Sequence, residues 1–291
     1  MINHNAIAID ERENLGERYD LRRFGSTREV LNLNQQSENV KEIVLFGDVD
    51  YDAEIESRTL SEEILAVTNI ASDGENNQTG LRNNQPDFWS PLNYTKNEII
   101  SIKRIAENAN LSCAIFDKAK ATEAAFMAID KRRANVLHVA THGYFYSKQN
   151  SLKTQTEPYA DMANNDHPLI RSGIILAGAN RSRRSATTFI EGRNDGLVTA
   201  YEISTSDMSN TELVVLSACE TGLGDLDASE GVYGLQRAFK LAGAKKVIMS
   251  LWQVPDYHTK ELMIQFYSNW LEHKMSIRKA LTEAQRYMRE E

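Results

Sequence analysis

Short apolar runs, each stopped by glycine or a polar residue, alternate along this chain with stretches whose apolar positions recur every three or four residues. The first run, within Glu42 to Asp48, reads as a strand ended by Gly47 and Asp48. Asn97 to Asn108 then carries Ile99, Ile102 and Ile105 at helical spacing, and Cys113 to Phe116 is a short strand. Thr122 to Ile129 opens another helix, although Ala125 stands where a capping box would need Glu. Strands are predicted over 136–141, 173–177, 213–218 and 246–252. After 213–218 comes a helix with Val232, Leu235, Phe239 and Ala242 on one face, stopped by Gly243. Two amphipathic helices close the chain, one with Leu262, Phe266 and Trp270, the other with Ile277, Leu281, Ala284 and Met288.

Strands alternating with helices imply an α/β fold: a mostly parallel central sheet with helices on both faces. Residues 1–40 are polar and charged and read as a helical or irregular lead-in, and Ser72 to Pro91 as a long loop. The segments Ser147 to Asp166 and Asn180 to Asn194 are polar inserts, also read as loops. No internal repeat is visible. The expected division is 1–90 as the lead-in plus the first part of the fold and 91–291 as the core, together forming one continuous unit.

Composition narrows the function classes. With 291 residues and a formal net charge of −8, the chain can bury a large core but lacks the cationic surplus of a protein that grips phosphate backbones, so no direct nucleic-acid partner is expected. No segment reaches the roughly 18 apolar residues of a membrane span, and the start has no signal-peptide pattern, which points to a cytoplasmic protein without a membrane partner. The two cysteines, Cys113 and Cys219, are too few for a disulfide scaffold.

Cys219 is the chemically interesting one. It ends the run Leu213 to Ala218 and precedes the turn Glu220 to Asp225, so its thiol falls at the tip of a buried strand. His142-Gly143 ends the run Val136 to Thr141 in the same way. If the two strands are parallel neighbours, imidazole and thiol meet at the carboxyl edge of the sheet, where open α/β sheets bind ligands. A free thiol has a pKa near 8.5 and needs a base to become a competent nucleophile. His142 is the candidate base, and the N–H groups of Gly143 and Cys219 are candidates to hold an oxyanion. The competing reading is a core cysteine beside a strand-end histidine.

Other motifs weigh less. His138 and His142 would make a metal pair on a helix, but four strand residues span about 13 Å, and no cluster completes a ligand set, so no metal is expected. His138 reads as buried and hydrogen-bonded, while His4, His167, His258 and His273 read as surface residues and Cys113 as packing. Gly222-Leu223-Gly224 lacks the third glycine of a dinucleotide loop, and no phosphate-binding Gly-Lys-Ser/Thr occurs, so no cofactor is expected. Asp195-Gly196 is either a turn or an acid near a specificity pocket.

Four motifs in order, His138 to Phe145, Arg171 to Asn180, Asp195 to Ile203 and Val214 to Gly224, make the sequence resemble the CHAT domain, a family of caspase-like cysteine peptidases related to caspases and separase and often joined to tetratricopeptide repeats. The resemblance covers about 90–285, with a weaker match at 43–48. It implies a caspase-like three-layer sandwich and a cysteine endopeptidase in which His142 is the general base and Cys219 the nucleophile. It also implies that Ser250, Trp252 and Gln253 align the substrate backbone and that Ser217 and Asp195 lie near the S1 pocket. The partners implied are a protein or peptide substrate and a regulatory protein or tetratricopeptide-repeat region. Chains of this family usually continue into an aromatic-rich strand, whereas this one stops at Glu291, so either the tail is lost or the sequence was cut before it. The alternative reading is a catalytically silent, caspase-like interaction module.

Overall fold

The computed structural model describes residues 40–55, 89–132, 134–145, 167–184, 194–217, 234–250 and 254–290, all within the compact unit Asn39–Glu291. The lead-in 1–39, most of the 72–91 loop, the insert 147–166, Cys219, Trp252 and Gln253 lie outside the described residues.

The strands β1 (Glu42–Val49), β2 (Ser112–Lys118), β3 (Val136–Val139), β7 (Leu213–Leu216) and β8 (Lys246–Met249) form a five-stranded sheet in the order β2-β1-β3-β7-β8. Every pair in it is parallel. A parallel sheet must be covered on both faces, and the alternation of side chains along each strand supplies two apolar surfaces. Ile43, Leu45, Val136, Leu213 and Val215 face one side. Val44, Phe46, Leu137, Val139, Val214 and Leu216 face the other.

The first surface is covered by α1 (Thr95–Asn108), through Ile99, Ile102 and Ile105, by α7 (Asp256–Tyr267), through Met263, Phe266 and Tyr267, and by α8 (Ile277–Glu290), through Ala280 and Ala284. A π-helical turn, Ser268–Glu272, links α7 to the segment before α8. The second is covered by α2 (Glu123–Met127), α3 (Ile129–Arg132), α5 (Ala200–Thr205) and α6 (Gly234–Leu241), with Phe126, Ile129, Ile203 and Phe239 among the buried contacts. The result is the expected caspase-like α/β sandwich, its core split by the sheet. Each fully buried Ile, Leu or Phe contributes about 1.5–3 kcal/mol by leaving water.

A second sheet, antiparallel and three-stranded, stands beside the first: β4 (Gly143–Phe145), β5 (Ser172–Ile175) and β6 (Leu197–Thr199). The predicted strand 173–177 is thus the centre of this small sheet. Close approach explains Gly173 there, since a Cβ on it would lie 2.3 Å from the Val198 carbonyl oxygen and 2.5 Å from the Tyr144 ring.

Two expectations need correction. The insert 180–194 is not loop throughout, because α4 (Ala179–Arg184) begins it; its exposed arginines pair with acids, Arg181 with Glu54 at 3.0 Å and Arg184 with Asp52 at 2.6 Å. The last central strand stops at Met249 rather than running to Trp252. Thr122 caps α2 without a capping box, its hydroxyl accepting from the Ala125 N–H, whereas a complete box forms unforeseen at α5 between Thr199 and Glu202.

Candidate active site

The site is built where β3 and β7 end. They pair directly, Val139 opposite Leu216, and the Ser217 N–H donates to the Val139 carbonyl at 2.9 Å, carrying the pairing one residue further. His142 and Cys219 each follow the last paired residue of their strand by three positions. Cys219 itself is outside the described residues, and so are Trp252 and Gln253.

His142 is half-buried between the end of β3 and the start of β4. Its Nε2 lies 2.8 Å from the Ser90 carbonyl oxygen. A carbonyl only accepts, so the proton on this contact is assigned to Nε2, the Nε2–H tautomer. The ring also meets Tyr51, the centroids 5.2 Å apart at 47°. Tyr51 is fixed in turn: its hydroxyl is 3.0 Å from Thr141 Oγ1, and the Thr141 hydroxyl donates to the Ile175 carbonyl. Burial pushes the Tyr51 phenol well above its ordinary value, so it stays neutral beside the imidazole. On the backbone side, the Ile175 N–H donates to the His142 carbonyl at 2.9 Å.

The Ser90 carbonyl is therefore presented by a segment pinned at both ends. Asn180 accepts from the Trp89 N–H and donates to the Trp89 carbonyl, both at 3.0 Å. Asp256, the first residue of α7, accepts from the Tyr94 N–H at 2.9 Å. Burial raises the Asp256 pKa, and the Tyr94 hydrogen bond and the nearby charges of His142 and Lys260 oppose that shift.

The other expected site residues divide. Gly143 opens β4 opposite Ile174. Ser217 and Ser250 follow the paired residues Leu216 and Met249, which sets both at the carboxyl edge of the central strands. Ser217 is 5% exposed, and its hydroxyl has no hydrogen-bond partner among the described residues. Asp195 caps a turn: its carboxylate accepts from the Leu197 N–H at 2.9 Å, and Gly196 sits at φ +83°, a conformation that favours glycine. His138 is fully buried, and His167, His258 and His273 are exposed, as expected.

Among the described residues no three His, Cys, Asp or Glu side chains cluster to hold a metal, and no helix is long and apolar enough to cross a membrane. Ser90, Asn180 and Asp256 were not foreseen as site residues. The first acts through its backbone and so leaves no mark in a side-chain pattern; the second stands inside a quoted motif without a visible task.

A model of the CHAT domain family matches residues 4–291, essentially the whole chain. The chain belongs to the CHAT domain family. The family is caspase-like and peptidase-related, and the mouse (Mus musculus) protein named Tetratricopeptide repeat protein 28 is 26% identical to this chain over 186 residues, which is 63% of it. The CHAT domain described here spans only 7% of that protein's length.

Proposed function

We propose that this CHAT domain is a cysteine endopeptidase with His142 as general base and Cys219 as nucleophile. The observation that carries the reading is the pairing of β3 with β7, whose last paired residues Val139 and Leu216 each stand three positions before His142 and Cys219 in the sequence, together with a ring whose Nε2 meets the Ser90 carbonyl. Nδ1 then removes the Cys219 proton, and the thiolate attacks the peptide carbonyl carbon to give a tetrahedral intermediate. The N–H groups of Gly143 and Cys219 hold its oxyanion. The imidazolium returns the proton to the leaving amine, which departs and leaves a thioester. Water, deprotonated by His142, attacks that thioester, and the acid leaves as the thiol is restored.

Ser217, whose buried hydroxyl has no hydrogen-bond partner among the described residues, and the segment Ser250 to Gln253 would line and align the substrate. Asp195 would contribute through the turn it caps. The named repeats of the mouse relative support a tetratricopeptide-repeat region or partner as the regulator, and the composition supports a cytoplasmic protein.

The test is incubation of the protein with a mixed peptide library, read by mass spectrometry, with Cys219→Ala and His142→Ala alongside. Cleavage that disappears in both variants is the expected result. Cleavage that survives Cys219→Ala would refute the mechanism. An unreactive parent whose Cys219 also resists a thiol-directed probe would favour the interaction-module reading.

A further inference from the structure

Asn180 ends the Arg171–Asn180 motif at the second residue of α4 and is 1% exposed. Its carboxamide pairs with the backbone of Trp89 as one peptide group pairs with another, accepting at Oδ1 and donating from Nδ2, both at 3.0 Å. Nδ2 also points to Asp52 Oδ2 at 3.3 Å. The Asn180 backbone N–H donates to the Tyr51 carbonyl at 2.8 Å. The Ser90 carbonyl and the Tyr51 ring both meet the His142 ring, and one residue ties down the chain beside both.

We propose that Asn180 is a positioning residue: it fixes Trp89 so that the next carbonyl, Ser90, holds the His142 ring in the Nε2–H tautomer. The inference rests on the reading of His142 as the general base. Only an amide side chain meets the requirement. An Asp at 180 would keep the acceptor for the Trp89 N–H but set a carboxylate against the Trp89 carbonyl and against Asp52. An aliphatic residue would remove both hydrogen bonds that Asn180 makes to the Trp89 backbone at a half-buried place. The far end of the segment has its own anchors, the Asp256 carboxylate on the Tyr94 N–H and the Thr95 hydroxyl, which donates to the Leu92 carbonyl at 3.0 Å. Ser90 lies next to the end that Asn180 holds.

The test reads the ring directly. With histidine labelled by nitrogen-15 in the Cys219→Ala protein, long-range proton–nitrogen spectra report which nitrogen of His142 carries the proton, with no substrate needed. The expected spectrum is the Nε2–H form in the parent and a mixture of tautomers in Asn180→Asp and Asn180→Ala. Arg181→Ala, which breaks the exposed ion pair with Glu54 on the same helix, is expected to leave the spectrum unchanged. A pure Nε2–H form in both Asn180 variants would overturn the inference. Should Asn180→Ala fail to fold, Asn180→Asp, of the same size, decides alone.

In the protein with Cys219 intact, Asn180→Asp is expected to slow alkylation of Cys219 by iodoacetamide about 10- to 100-fold, the scale on which misplaced catalytic groups lose rate. If His142→Ala leaves that alkylation unchanged, the general-base reading falls, while the tautomer spectra still decide the role of Asn180.

Discussion

His138 and His142 leave the same strand four residues apart and lead opposite lives. His138 is 0% exposed, on the face covered by α1 and α7. Its Nε2 is 3.0 Å from Glu98 Oε1, also fully buried, and its Nδ1 is 3.4 Å from the Tyr267 hydroxyl. That pair is close without being aligned, because neither Glu98 oxygen nor His138 Nε2 meets hydrogen-bond geometry. Burial and the Glu98 charge push the Tyr267 phenol well above its ordinary value. His142 has passed the sheet edge; it is half-buried and meets a backbone carbonyl and an aromatic ring. Depth along one strand thus separates a histidine that holds the core from one that can work on a substrate.

Exchanging the two losses gives the largest effects. His142→Ala is expected to slow Cys219 alkylation and peptide cleavage about 10²–10⁴-fold, the usual worth of a general base, with an unchanged unfolding midpoint. His138→Ala is expected to do the reverse. It leaves the Glu98 carboxylate buried without its partner, which costs about 3–5 kcal/mol in urea unfolding, while the folded fraction keeps its reactivity. The joint replacement His138→Leu with Glu98→Leu is expected to recover most of that stability, because an apolar pair of similar volume leaves no buried carboxylate without its partner. Equal stability losses in both single variants would erase the distinction.

Thr141 lies between the two histidines and is the place to blur the line. Its buried hydroxyl joins Tyr51, against the His142 ring, to the Ile175 carbonyl of the small sheet. Thr141→Val keeps the shape and removes both bonds, so a loss of about 1–3 kcal/mol is expected, together with a smaller fall in Cys219 reactivity than His142→Ala produces. A stability loss with full reactivity would show that Tyr51 is only scaffold.

How far the sequence led follows the same division. β1, β3, β7 and α1 were legible because each is long enough to show its period, the strands as apolar runs stopped by polar residues and α1 through Ile99, Ile102 and Ile105. β4 and β6, three residues each, carry no period, and their pairing across long inserts was invisible. His142 was readable from its strand-end position. Its partner was not, because Ser90 contributes a carbonyl that every residue possesses. Asn180 could be seen as part of a motif, but its task depends on a chain segment 91 positions away.

The cysteines repeat the comparison on a smaller scale. Cys113 lies within β2, half-buried, and burial with the nearby Glu107 pushes its thiol up to about 12. At neutral pH it is protonated and unreactive. Iodoacetamide followed by peptide mapping is therefore expected to label Cys219 and spare Cys113. Equal labelling would remove the case for an activated thiol.

The smallest effect concerns a buried acid that, unlike Glu98, sits among other acids instead of beside a histidine. Glu123 is 4% exposed and accepts from the Asp195 and Gly196 N–H groups at 3.0 and 3.3 Å, thereby holding the turn before β6. Burial first, then the charges of Asp195 and Glu202, raise its pKa well above the ordinary 4.5. The folded protein therefore binds more protons than the unfolded chain in the window that opens at 4.5 and runs up to the raised value. Its contribution to stability is fully present below that window and is lost as pH rises through the folded pKa. Glu123→Gln keeps an oxygen for both N–H groups and has no proton to lose. Relative to the parent, it is expected to unfold at a higher temperature at about pH 8 and to lose that advantage at about pH 5. A gap between parent and variant that is the same at both pH values would mean that burial and the neighbouring carboxylates do not raise the Glu123 pKa.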